Sequence, residues 1–194
     1  MLHRIIKSNY YKYLLLIIVL AITTNVINAQ NAHISFMDIP ICGDAYYFKQ
    51  KLEKKNFKFV RQDFDTQTYQ FTGNFAGRKA AIALFYSRIK GIAYQVMVSY
   101  DARNFSNFDS IKRDVFELYK SKYGNPKICE SQYGKECYRW NVYSNGDNVG
   151  KIEMIKGTSN YIDIIYIDKD GYNLNHEETR KVNEHLRNLQ RRDI

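Results

Sequence analysis

The sequence predicts an α+β domain, an antiparallel sheet of about eight strands with helices on one face and an extra helix at the C-terminus. Three observations predict it. Apolar residues recur at helical spacing in three segments. Between them the pattern switches to the apolar–polar alternation of half-buried strands. The joins are short turns, and parallel pairing would need crossovers of about a dozen residues or more. Composition agrees: 194 residues, 45% hydrophobic, with 10 Gly and 2 Pro, exclude collagen-like, Pro-rich and disordered chains. The 17 Tyr suit strands.

Residues 1–29 read as an address. Arg4, Lys7 and Lys12 precede an unbroken apolar run from Leu14 to Ile22, and Ala29 supplies the small residue at the cut, the pattern of a secretory signal peptide. The competing reading is a membrane anchor. At 1.5 Å per residue the run reaches about 14 Å, roughly half the hydrocarbon thickness, so cleavage is favoured and no stable span is expected afterwards. Subtracting 29 residues from 194 leaves 165, and losing three cations lowers the charge from +9 to +6. The expected location is therefore outside the cytoplasm, in the periplasm or beyond. That charge is spread along the chain without a nucleic-acid-binding module, so no nucleic-acid partner is expected.

Residues 30–43 read as a flexible lead-in to one α+β domain over 44–194. Asp44 caps a first helix running to about Asn56, with Ala45, Phe48 and Leu52 on one stripe. Tyr69, Phe71 and Phe75, then Ile82, Leu84 and Tyr86, then Ile92 to Tyr100 in alternation, mark strands. Ser106 with Asp109 opens a second helix carrying Ile111, Val115, Leu118 and Tyr119, closed by Gly124 and Pro126. Strands follow around Tyr138–Val142, Ile152–Met154 and Ile162–Tyr166. Asn175 with Glu178 predicts a last helix over 176–190 whose Val182, Leu186 and Leu189 form a narrow stripe.

Two half-repeats, 44–101 and 106–168, echo each other weakly. Leu52 and Phe57 match Leu118 and Tyr123 at an offset of 66, and Val98-Ser99-Tyr100-Asp101 matches Ile165-Tyr166-Ile167-Asp168 at 67. A duplicated α-β4 unit and two unrelated halves are both open on this evidence.

Cys129 and Cys137 flank Gln132-Tyr133-Gly134-Lys135, a hairpin turn, and export takes them to an oxidising compartment. A Cys129–Cys137 disulfide is therefore expected. Cys42 is left free and buried, with no activating base identifiable in the sequence.

Ile39-Pro40-Ile41 before the first helix, Asn74-Phe75-Ala76-Gly77 in a hairpin and Lys122-Tyr123-Gly124-Asn125-Pro126 closing the second helix carry a resemblance. The chain resembles small secreted proteins of Bacteroides-type bacteria whose tandem α-β layout is similar to β-lactamase-inhibitor-protein-like domains, over roughly residues 36 to 170. The resemblance implies helices on one face of an antiparallel sheet and, as in the inhibitor, a concave opposite face that binds a protein. It brings no catalytic residues.

Chemistry is sparse. A calcium loop starting at Asp168 fails where Asn173 stands for Gly and Thr179 for the bidentate Glu; a strand-to-helix turn with an N-cap fits better. His176 and His185 lie on opposite sides of a helix, so no metal site is nominated. No nucleotide or nucleophile motif occurs and no cofactor is expected. The binding candidates are Phe85, Tyr143 and Tyr161 on the face away from the helices, Arg139 sharing it by parity, and Arg88 just past its strand. Tyr and Arg are residue types enriched in binding hot spots. The function this favours is an exported, non-enzymatic module binding a protein or cell-envelope component through that sheet face. The alternative is a small secreted hydrolase of glycan or peptide, using carboxylates whose spacing selects no pair.

Overall fold

The computed structural model describes residues 33–101, 105–130, 136–156 and 161–191. The expected signal peptide over 1–29 and the expected turns at 132–135 and 157–160 lie outside these residues, as does the side chain of Ser106. The unit from His33 onward begins with a two-stranded hairpin, β1 (Ser35–Phe36) and β2 (Ile39–Pro40). Helix α1 (Ala45–Lys54) leads into β3 (Lys58–Asp63), β4 (Thr68–Phe75), β5 (Arg78–Tyr86) and β6 (Ala93–Asp101). Helix α2 (Phe105–Tyr123) leads into β7 (Lys127–Glu130), β8 (Glu136–Ser144), β9 (Asp147–Lys156) and β10 (Tyr161–Asp168). Helix α3 (Lys169–Gln190) ends the described chain.

The eight long strands form one antiparallel sheet in the order β3-β4-β5-β6-β10-β9-β8-β7. Each half is a helix followed by a four-stranded meander, and the two meanders join last strand to last strand. Val98 stands opposite Ile164 at this seam. Helices α1 and α2 share one face. Phe48 and Leu52 of α1, and Ile111, Val115 and Tyr119 of α2, are buried with Leu84, Val96, Val98, Ile164 and Tyr166 in one core. Trp140 completes it, its indole N–H donating to Gly124 O at 2.9 Å, which satisfies a donor that burial would otherwise make costly. No helix among the described residues is long and apolar enough to cross a membrane.

The α+β class, the antiparallel sheet and the three helices match the expectation, and Asp44 caps α1, accepting from Tyr47 N at 2.7 Å. Four expectations are corrected. Residues 33–43 are not a flexible lead-in: Ile34, Phe36, Ile39 and Ile41 are buried core residues, and the ring of Phe36 sits edge-on to Tyr166. Secondly, α3 does not wait for Asn175. It starts at Lys169, capped by Asp168, whose Oδ1 accepts from Gly171 N at 2.9 Å. Gly171 resembles a turn residue, but it is there because a Cβ would come within 3.0 Å of Ala93 O and of Tyr94. Asn175 lies inside the helix, its carbonyl accepting from the Thr179 hydroxyl.

The repeat offsets are also corrected. Two matched pairs do not share a burial role: Leu52 is buried and Leu118 exposed, and Val98 lies in the main core whereas Ile165 lies in the cluster on the other sheet face. Leu118 points outward, and a one-residue slip moves a strand residue to the other face. Finally, Cys42 is free but only half-buried.

Candidate binding face

Strand register assigns the second sheet face residue by residue. Met97 of β6 stands opposite Ile165 of β10, which stands opposite Glu153 of β9, which stands opposite Arg139 of β8. The neighbouring row runs Ser99, Asp163, Ile155, Cys137 and Cys129. Cys137, Ile155 and Ile165 form a second, smaller buried cluster, with Met97, Cys129 and Ile167 partly buried against it. Every member is a strand residue.

Cys129 and Cys137 are directly paired across β7 and β8, with Cα atoms 5.1 Å apart, and they form the expected disulfide. It pins the short edge strand β7 and lies on the apolar side of this cluster. Beside it Glu153 is buried and takes two cations on one oxygen. Arg139 Nε donates to Oε1 at 2.7 Å and Lys151 Nζ lies 2.9 Å from the same atom. Ser99 Oγ donates to Asp163 Oδ1 at 2.6 Å. A carboxylate paired this way stays tolerable in a buried position.

The predicted binding residues do not gather at one point. Arg139 borders the apolar cluster. Phe85 is on this face opposite Thr68 and Gln95, with its ring 6.4 Å from that of Tyr94. Tyr161 stands opposite Asp101 at the far end of the seam. Six residues of strand separate Tyr161 from the Phe85 row, about 20 Å at about 3.3 Å per residue. Tyr143 lies beyond a register shift at the end of β8 and is exposed. Arg88 leaves the sheet and lines a groove beside α3. Sequence reasoning passed over Met97, Ile155, Ile165, Lys151 and Glu153. Their signal was available in the alternation of β6, β9 and β10, since the residues between the core positions of a strand must share the opposite face.

A second polar cluster joins His33, Cys42 and Asp168. Asp168 is fully buried, and its Oδ2 accepts from Ile34 N at 3.2 Å and lies 3.1 Å from His33 Nδ1. Burial raises its carboxyl above the ordinary carboxylate range, against the lowering pull of the Gly171 and Ile34 N–H groups and of His33. The Cys42 thiol is pushed up to about 12, first by burial and then by the Asp168 charge. A thiol held protonated is a poor nucleophile. The cluster therefore acts as a clasp between the N-terminal hairpin and the β10–α3 junction. A scan of protein-family models and searches of curated proteins and of solved structures return no match to this chain.

Proposed function

We propose that this protein is an exported, non-enzymatic binding module that holds a protein partner of the cell envelope against its second sheet face. The observation that carries this reading is the partly buried set Met97, Cys129 and Ile167, seated on the buried Cys137, Ile155 and Ile165 and bordered by Arg139, Lys151 and Glu153. An apolar centre with a charged border that includes Arg is the anatomy of a protein-binding patch. The tandem α-β layout supports the same reading, by its resemblance to inhibitor-type domains that bind proteins through this face. For the hydrolase, Glu153 and Asp163 are two carboxylates of this face. Glu153 is engaged by Arg139 and Lys151 and Asp163 by Ser99, so neither is poised as an acid/base partner for the other.

The test uses three variants, Met97→Asp and Arg139→Glu on the face and Val60→Lys on exposed edge strand β3, each first shown to unfold like wild type. A partner isolated from the host envelope should bind wild type and Val60→Lys equally. Each face variant should weaken it by about thirtyfold, the size of a hot-spot loss. Equal binding by all four proteins overturns the proposal. So does turnover of a glycan or peptide substrate that both face variants retain.

A further inference from the structure

Helix α3 crosses the end of the sheet and leaves a groove of about 330 Å³ against the β3–β4 and β5–β6 turns, at the lower end of small-molecule sites. Its walls include Tyr86, Tyr94, Val182 and Leu186, and its charged residues are Glu178 and Arg88. Glu178 is 7% exposed. Its Oε2 accepts from Ile89 N at 3.0 Å, which holds the side chain in place. Its Oε1 is closed off from solvent and has no hydrogen-bond donor among the described residues. A buried carboxylate oxygen without a donor costs free energy, and the bond from Ile89 N uses only the other oxygen. Arg88 is exposed and has no ion-pair partner among the described residues.

We propose that this groove binds a small zwitterion, a free α-amino acid with an apolar side chain. Its ammonium group would donate to Glu178 Oε1, its carboxylate would meet the Arg88 guanidinium, and its apolar part would lie against Tyr86, Tyr94 and Leu186. Arg88, Ile89 and Leu186 of the lining are exposed, so a ligand can reach the groove from solvent by moving their side chains. A hard metal ion fits poorly, since Glu178 is the sole acid lining the groove among the described residues and such ions take six or more oxygen ligands. A plain amine fits poorly too, because Arg88 would repel it.

The test is titration of the purified protein followed by amide NMR shifts, with L-phenylalanine, phenethylamine and 3-phenylpropionate as probes. L-phenylalanine should give saturable shifts at Ile89 and Glu178 and bind at least about tenfold more tightly than either half-charged analogue. Glu178→Gln should abolish this preference over 3-phenylpropionate, and Arg88→Ala should abolish that over phenethylamine. Leu186→Trp, at an exposed position that leaves the fold intact, should block all binding and so decides the matter if Glu178→Gln fails to fold. No saturable shift at Ile89 or Glu178 with any probe means that the groove holds water alone and overturns the proposal. Equal binding of L-phenylalanine and phenethylamine, unchanged in Arg88→Ala, overturns it as well.

Discussion

His33 Nδ1 lies 3.1 Å from Asp168 Oδ2, across a sequence separation of 135 residues. Around that contact Asp168 also accepts from the backbone N–H groups of Ile34 and Gly171. One buried carboxylate thus ties the start of the domain to the end of the sheet and caps the last helix. Nothing local in the sequence forces this. It follows from the chain returning past its own beginning.

Asp168→Asn should destabilise the domain by about 1–3 kcal/mol, because an amide offers one acceptor oxygen where three donors converge. The pH dependence gives a sharper check. The Asp168 carboxyl is raised in the folded state, first by burial, so the folded protein holds this proton more firmly than the unfolded chain. Its contribution to stability is full below the unfolded value near 3.8 and declines as pH rises through the raised folded value. Urea unfolding between about pH 3 and 7 should show wild type losing stability relative to Asp168→Asn as pH increases. A difference that is flat or rises with pH would reject the assignment.

The hydroxyls of Tyr119 and Tyr166 bond to each other inside the core, joining α2 to the central strand β10. Burial holds both phenols well above the ordinary tyrosine range, so both stay neutral. Tyr119→Phe and Tyr166→Phe should each cost about 1–3 kcal/mol, since each leaves the other hydroxyl buried and unpaired. The double variant should cost clearly less than the two singles added together. Additive losses in chemical denaturation would show that the hydroxyls find other partners.

The central strands were legible in the sequence because Val96, Val98 and Tyr100, and Ile162, Ile164 and Tyr166, alternate without interruption. The edge strands were not. In β3 a register shift between Phe59 and Arg61 breaks the period. β7 is four residues long with Ile128 turned outward. Identity misled the repeat alignment, since Leu52 and Leu118 match in type whereas Leu52 is buried and Leu118 exposed. The disulfide was legible because pairing across a short turn is local. The binding face was legible only in part: parity gave Arg139 and Phe85, but which aromatics stand close together depends on strand order. That order joins β6 to β10, a pairing between residues sixty or more apart.

The Cys129–Cys137 bridge closes a short loop at the sheet edge. Replacing both with Ala should cost about 2 kcal/mol, toward the low end for disulfides, and leave the seam between the halves unchanged. Thiol titration of the unfolded, non-reduced protein should find one free thiol, that of Cys42. Three thiols would show that the bridge does not form. A loss much above about 4 kcal/mol would show that the bridge supports more than its own hairpin.

Gly150 stands opposite Asp168 across β9 and β10. An added Cβ there would overlap the Ile167 carbonyl oxygen and come within 3.2 Å of Ile34 Cγ2. The first obstacle is backbone in a central strand, which no rotamer change relieves; the second belongs to the hairpin clasped by Asp168. Gly150→Ala should therefore cost about 2–3 kcal/mol, the range of overpacked cores. Gly77→Ala is the comparison, with φ at +76° and nothing within 4 Å of an added Cβ. It should cost only the left-handed strain of about 1–2 kcal/mol. Because Gly150 and Asp168 share the same junction, Gly150→Ala combined with Asp168→Asn should destabilise less than the sum of the two, the clasp being already loosened in each. Gly77→Ala should add to Asp168→Asn within about 0.5 kcal/mol. Additivity in both pairs, measured as urea midpoints at constant slope, would separate Gly150 from the clasp and leave its cost a matter of the strand alone.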